Sequence, residues 1–274
     1  MARILESINS ASVNQLSATG HAQAWICLPT YNEAGNLERL VQRLLGVATA
    51  HGIDLRILVI DDASPDGTGQ IADRIAASDA RVEVLHRARK EGLGPAYRDG
   101  FRFALAAGAD LILEMDCDFS HDPSDVPRLI EAASDADVVL GSRYVPGGGT
   151  RDWGPVRRLI SRGGSWYARH TLGIEPNDLT GGFKCFRRDV LLSIPLDEVA
   201  SAGYVFQIEM TYRAILLGYK VVEIPITFRD RQVGTSKMSH RIIWEAAFHV
   251  PRLRRRLKRV APGPVSLGSD NDAR

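Results

Sequence analysis

Cysteine is scarce in this chain of 274 residues: Cys27, Cys117 and Cys185 are widely spaced, and no Cys-x-x-Cys occurs. An odd, scattered set excludes a disulfide framework and a structural zinc site, and it predicts a reducing compartment. Net charge is nearly absent, at +1, which argues against a surface built to coat nucleic acid. No apolar run approaches the roughly 18–20 residues that cross a bilayer. Residues 1–23 contain Arg3 but no continuous apolar stretch, so no signal peptide is expected. Neither Gly-x-Gly-x-x-Gly nor a Walker phosphate loop is present, and no internal repeat is visible.

What remains is ordinary globular composition, 45% hydrophobic and 24% charged, enough for one large α/β domain or two small ones. Residues 1–23, rich in Ser, Ala, Asn and Gln, and residues 261–274, with Pro, Gly, Ser and Asp, read as disordered ends. Between them, short apolar runs alternate with helical periodicity. Strands are expected at 24–28, 55–60 and 82–85, in a run ending at Asp116, and at 138–140. Helices are expected over 37–45 with Gly46 near the end, over 69–77, over 96–107 entered through Gly92-Leu93-Gly94-Pro95, and over 127–133. Strand, polar loop, helix, strand in repetition gives a mainly parallel sheet with helices on both faces. Ligands of such sheets bind beyond the carboxyl ends of the strands. Segments 29–33, 61–68 and 116–121 all fall there, so loops distant in sequence converge on one rim. After residue 145 come a glycine-rich connection, a helix over 161–172, a turn at 178–183 leading into a strand, a helix over 204–217, a strand over 220–228 and a polar loop around Gly234.

Glu114-Met115-Asp116-Cys117-Asp118 is the most informative stretch. Read as a strand end, it turns Asp116 and Asp118 the same way. Two ionised carboxylates side by side repel unless a cation lies between them. Mg²⁺ or Mn²⁺ suits that place, since each takes one or two carboxylates together with substrate phosphates. A solvated acidic strand end is the alternative for an isolated Asp-x-Asp. Asp62, after another strand, is suited to accept from a ribose hydroxyl or a base N–H, whereas Ser64 and Asp66 read as turn and cap residues. Arg143 follows a further strand end and suits bidentate phosphate binding, with an exposed salt bridge as the alternative. Arg231 and Lys237 flank Gly234 in a loop able to close on an anion or to stay solvated. His121, in a helix-entry turn, reads as a support for the carboxylates. Residues 241–260 carry Trp244 and Phe248 ahead of Arg252, Arg254, Arg255, Arg256, Lys258 and Arg259. A basic amphipathic segment of this kind lies on an anionic membrane or packs on the domain, and Pro251 is expected to break or kink it.

In order along the chain stand Leu28-Pro29-Thr30-Tyr31-Asn32-Glu33, Ile60-Asp61-Asp62-Ala63-Ser64-Pro65-Asp66-Gly67-Thr68, Gly92-Leu93-Gly94, Met115-Asp116-Cys117-Asp118-Phe119-Ser120-His121 and Gly141-Ser142-Arg143-Tyr144. Ile160-Ser161-Arg162-Gly163, Asp178-Leu179-Thr180-Gly181, Gly203-Tyr204-Val205-Phe206-Gln207 and Gly234-Thr235-Ser236-Lys237 follow. Together these segments resemble the polyprenol-phosphate (dolichol-phosphate) mannose synthases, inverting glycosyltransferases of family 2 with the Rossmann-like GT-A fold. The resemblance spans residues 25–237 and implies one catalytic domain over 24–240. It implies that Pro29, Tyr31, Glu33, Ile60 and Asp62 contact the nucleotide, and that Asp116 and Asp118 hold Mg²⁺ or Mn²⁺ with Cys117 beside them. It assigns phosphate binding to Arg143, Arg231 and Lys237, which with Asp118 form the expected catalytic set. Cys117 stands where the family commonly has Ala, and its side chain is expected to point away from the metal. The implied substrates are GDP-mannose and a polyprenyl phosphate. The implied location is peripheral, on the cytoplasmic side of a membrane, docked directly or through a membrane-embedded partner protein. The competing readings are a polyprenyl-phosphate glucosyltransferase using UDP-glucose and a catalytically silent nucleotide-sugar-binding subunit. A nucleotidyltransferase would carry a Gly-rich basic signature near the first strand, where Pro29-Thr30-Tyr31-Asn32-Glu33 stands instead.

Overall fold

A computed structural model describes residues 22–199, 201, 203–230 and 240–258, the last stretch as backbone alone at 240–247 and 258. The ends read as disordered, apart from Ala22 and Gln23, lie outside the described residues, as do Arg231 and Lys237. Gln23 is an ordered part of the sheet edge: its C=O accepts from the N–H groups of Asp110 and Leu111.

The strands are β1 (Ala24–Thr30), β2 (Leu55–Asp61), β3 (Val82–His86), β4 (Leu111–Glu114), β5 (Val138–Ser142), β6 (Gly149–Thr150), β7 (Lys184–Arg187), β8 (Val221–Pro225) and β9 (Thr227–Phe228). The helices are α1 (Leu37–His51), α2 (Thr68–Ser78), α3 (Leu93–Ala106), α4 (Val126–Ala132), α5 (Pro155–Leu172), α6 (Arg188–Ser193), α7 (Gly203–Leu216) and α8 (His240–Lys258). Seven strands form one sheet in the order β3-β2-β1-β4-β7-β5-β8, parallel except for β7, while β6 and β9 pair separately.

The period-2 alternation of the strands builds two core layers. Ala24, Ile26 and Leu28 of β1 join Leu55, Ile57 and Val59 of β2 and the α1 stripe Leu37, Leu40, Val41 and Leu44 on one face. Trp25 and Cys27 join Leu58, Ile60, Phe101 of α3 and Phe206 of α7 on the other. Gly100 lets α3 settle on that second face, because a Cβ there would meet Ile60 Cδ1 at 2.4 Å. Helix α1 does not end near Gly46. It runs on to Gly52, whose φ of 63° caps it through N–H bonds back to Ala48 and Thr49.

In the C-terminal part the expected break at Pro251 is absent, and one of the two readings of the basic segment is favoured. Pro251 lies inside a continuous α8, and Val250, Leu253 and Leu257 are buried against Ala168 and Leu172 of α5 and Tyr212 of α7. The segment over 241–260 is thus, in its described second half, packed on the domain. No helix among the described residues is long and apolar enough to cross a membrane.

Candidate active site

The carboxyl ends of β1, β2 and β4 open onto one cleft. Its lining comes from Pro29, Thr30, Tyr31 and Glu33 after β1, Asp62 after β2, Asp116, Cys117 and Asp118 after β4, and Lys90, Gly92, Leu93 and Ala96 at the start of α3. Each of the three rim loops contains one non-glycine residue in the left-handed region: Asn32 at φ 60°, Ala63 at 58° and Phe119 at 59°. Such conformations persist where surrounding contacts over-determine them, and they cluster at functional sites. The contacts are visible here. Asn32 N–H donates to Ser64 Oγ at 3.1 Å, Glu33 N–H to Thr68 Oγ1 at 3.0 Å and Ala34 N–H to Asp66 Oδ2 at 3.1 Å. Gly67 is the N-cap of α2 and receives no side-chain cap bond; Asp66 accepts from Thr68 N–H at 3.1 Å, and Ser64 and Asp66 lace two rim loops together.

Asp116 and Asp118 both lie beyond the end of β4, which stops at Glu114, so strand alternation does not align them. The loop does so through specific bonds. Asp116 N–H donates to His121 Nδ1 at 3.3 Å, and Ser120 N–H donates to Asp118 Oδ1 at 3.0 Å. His121 is buried, stacked on Phe183 at 4.9 Å and edge-on to Phe228 at 5.2 Å. Burial, reinforced by Arg143 and opposed by Asp118, pulls its pKa down to about 4. A neutral ring with Nδ1 as acceptor fits the bond from Asp116. Cys117 is 3% exposed and packs with the core layer under α1 as well as forming part of the cleft floor. Burial first, then the neighbouring Glu33, Asp118 and Asp116 carboxylates, push its thiol pKa up, so the thiol stays protonated.

The lining is markedly acidic. Glu33, Asp62, Asp116 and Asp118 face it, and Lys90 is the one cation among the described lining residues. Lys90 Nζ sits 3.5 Å over the Tyr31 ring, a cation–π contact. Its place over Tyr31, just before the glycine turn into α3, marks this lysine as a candidate site residue. Asp62 is already engaged: Arg87 Nη1 pairs with Oδ1, and Glu91 and Gly92 N–H both donate to Oδ2 at 3.1 Å. It holds the turn before α3 against the end of β2, and a nucleotide contact would share that carboxylate. Glu33 accepts from Asn36 Nδ2 at 2.8 Å. The Ile60 side chain is buried beneath α3, which leaves only its main chain near the rim.

Arg143 is neither exposed nor on the cleft lining. Its Nε and Nη2 donate to the two Asp178 oxygens at 2.7 and 2.6 Å, its N–H donates to Oδ2 at 2.9 Å, and Nη2 also donates to Thr180 Oγ1 at 2.9 Å. Trp153 and Phe228 flank the guanidinium at 5.6 and 5.4 Å. The salt bridge expected as the alternative for Arg143 is thus real but buried, and Nη1 is the nitrogen that the pair does not use. Asp178 is itself fixed by Glu223, whose carboxylate accepts from Asn177 and Asp178 N–H.

The donor set of Asp116 and Asp118, oxygen only, fits Mg²⁺ or Mn²⁺. No group of three or more His, Cys, Asp or Glu side chains among the described residues is placed to hold a metal unaided. That suits an ion completing its shell with substrate phosphate and water.

Residues 25–194 match the model of the family described as "Glycosyl transferase family 2". The chain belongs to this family. Among curated relatives, an undecaprenyl-phosphate mannosyltransferase of Micrococcus luteus is 48% identical over 82% of the chain and 91% of its own length. A polyprenol monophosphomannose synthase of Mycolicibacterium smegmatis is 47% identical over 86% of the chain and 89% of its own. The fold resembles that of glucosyl-3-phosphoglycerate synthase from Mycobacterium tuberculosis, solved with Mn²⁺ and UDP-glucose (TM-score 0.63, 20% identity, 86% of this chain and 81% of that one). It also resembles a Pyrobaculum calidifontis mannosyltransferase solved with GDP-mannose and Mn²⁺ (TM-score 0.58, 17% identity, 96% and 71%). The mainly parallel sheet expected from the strand–helix order is therefore observed, with the cleft at its carboxyl edge, and the family is the one the resemblance implied.

Proposed function

We propose that this family 2 glycosyltransferase moves mannose from GDP-mannose to a polyprenyl phosphate with inversion. The observation that carries the reading is the pair Asp116 and Asp118 on an acidic cleft beside Lys90 and Tyr31, in a chain 48% identical to an undecaprenyl-phosphate mannosyltransferase. Mg²⁺ or Mn²⁺ held by Asp116 and Asp118 would offset the charge that develops on the departing diphosphate.

The protein's own residues supply the rest. Lys90 meets the donor phosphates from the α3 side, and Tyr31, Pro29, Glu33 and Asp62 bound the nucleotide. His121 fixes the main chain of Asp116 so that the carboxylate pair does not reorganise during transfer. The acceptor phosphate is ionised near neutral pH and attacks by itself, so no side chain has to remove a proton from it. One oxygen of that phosphate bonds to the anomeric carbon as the bond to the donor diphosphate breaks on the opposite face. An α-linked donor thus gives a β-mannosyl phosphate and GDP. Arg231 and Lys237 are the proposed cations between the two phosphate groups, and Arg143 contributes through Nη1. The acceptor is a bilayer lipid, so the reading requires contact with the cytoplasmic face of a membrane, directly or through a membrane-embedded partner.

Asp118→Ala should abolish cation-dependent transfer while thermal unfolding stays within a few degrees of wild type. Full activity of that variant in excess chelator would refute the metal assignment. Lys237→Ala should lower turnover at saturating substrates, whereas wild-type turnover would make its loop a bystander.

A further inference from the structure

Beneath the carboxylate pair lies a buried polar cluster that the transfer chemistry proposed above does not use. Glu114 closes β4 two residues before Asp116, and Lys184 opens β7 directly across from it in the antiparallel ladder. Both are buried, as are Gln207 of α7 and Tyr97 of α3. Lys184 Nζ donates to the Gln207 C=O at 2.6 Å and to Thr211 Oγ1 at 3.0 Å. The ammonium thus pins α7 to the sheet at Gln207 and fixes where that side chain begins.

Glu114 Oε1 and Oε2, Gln207 Oε1 and Nε2 and Tyr97 Oη are five of the eleven buried side-chain polar atoms without a hydrogen-bond partner among the described residues. Native interiors leave few such atoms, so their concentration in one place calls for a reason. Their surroundings point to Asp116. A Cβ on Gly182 would lie 3.5 Å from Gln207 Nε2 and 3.8 and 3.9 Å from the two Asp116 oxygens. Gly182 is not in the left-handed region, so its missing side chain keeps a space open rather than a conformation. Burial raises the pKa of the Tyr97 hydroxyl, and Asp116 and then Glu114 add most to that rise. Burial also lifts Glu114 to about 7, with Lys184 and then Gln207 favouring its charge.

We propose that Gln207 is a positioning residue for the metal: its side-chain amide, anchored through Lys184 and Glu114, orients the Asp116 carboxylate across the Gly182 gap. A primary amide offers two N–H donors and an acceptor oxygen, so Nε2 can serve Asp116 and Glu114 together. It stands beyond direct bonding distance of either, a separation that an ordered water spans. His121 then holds the main chain of Asp116 and Gln207 its carboxylate. Carboxylates that ligate metals are themselves hydrogen-bonded, and losing such a partner costs about 10–100-fold in metal affinity. This proposal rests on the assignment of a divalent cation to Asp116 and Asp118 proposed above.

The test titrates Mn²⁺ into the full chain with saturating GDP and follows free Mn²⁺ by electron paramagnetic resonance, alongside thermal unfolding. Gln207→Met keeps the volume and removes the amide; its Kd for Mn²⁺ should rise at least about tenfold. Gly182→Ala puts a methyl into the gap at ordinary contact distances and should also weaken Mn²⁺ binding. Leu253→Ala, destabilised far from the cleft, should keep the wild-type Kd. Wild-type affinity in Gln207→Met would overturn the proposal and leave the metal assignment standing. An equal loss in Leu253→Ala would also overturn it, since weakened binding would then follow from stability alone. Should Gln207→Met fail to fold, Gly182→Ala decides in its place. If wild type binds no Mn²⁺ with GDP, the metal assignment fails and this proposal falls with it.

Discussion

Removing the Asp178 carboxylate should unseat Arg143 and reveal what that arginine is for. Both side chains are at most 5% exposed, and the carboxylate accepts three bonds from Arg143. Asp178→Ala leaves a buried guanidinium without its counter-charge, a break that costs about 3–5 kcal/mol. For a protein of this size each kcal/mol lowers Tm by about 2–4 °C, so the midpoint should fall by about 6–20 °C. Arg143→Met combined with Asp178→Leu removes the stranded charge and should restore stability to within about 1 kcal/mol of wild type. Urea denaturation measures both, and mannosyl transfer by the double variant separates structure from chemistry. A folded, inactive double variant is expected, because Nη1 is lost to the phosphates. A loss below about 1 kcal/mol for Asp178→Ala would refute the accounting of the pair, and a double variant with wild-type turnover would make Arg143 purely structural. The pair also has a pH signature. Burial works against the charged form of Asp178, but Arg143 outweighs it and holds the carboxyl below its usual 3.8. Its stabilisation is therefore complete above about pH 4 and is lost as pH falls further.

His121 gives a second pH window. With a pKa pulled from 6.5 to about 4 by burial, the unfolded chain binds the extra proton first, so wild type should lose stability between pH 6.5 and 4 relative to His121→Gln. Parallel profiles in thermal melts across that range would contradict it. Leu253→Ala in α8 should destabilise by about 2–5 kcal/mol, since Leu253 is 4% exposed against α5 and α7; a loss under about 0.5 kcal/mol would mean that α8 is a loosely attached segment.

The sheet was readable in the sequence because its strands are short, continuous apolar runs, and the rim loops followed from their carboxyl ends. The carboxylate pair was equally plain, yet the reason for its alignment was not. Strand alternation stops at Glu114, and the fixing bond comes from His121, five residues on. Arg143 shows the same limit from farther away. Its partner lies 35 residues along the chain, on the approach to the antiparallel strand β7, and nothing local announces the pairing. The short helix α6 between β7 and a 3₁₀ turn carries too few periodic positions to stand out. Gly46 does not end α1 and Pro251 does not break α8 for a common reason: both sit inside helices whose packed faces outweigh their local penalties. Packing also decided between the two readings of the end of α8 in favour of the domain, and left the large apolar side chains of α5 facing outward.

The most direct test of the central claim is a donor panel with purified protein and one polyprenyl phosphate: radiolabelled GDP-mannose, UDP-glucose and UDP-N-acetylglucosamine, each with Mg²⁺, Mn²⁺ or chelator. The account predicts label in the lipid fraction from GDP-mannose alone, only with a divalent cation, as a β-linked mannosyl phosphate. Label from UDP-glucose in preference to GDP-mannose, or undiminished transfer in chelator, would contradict it.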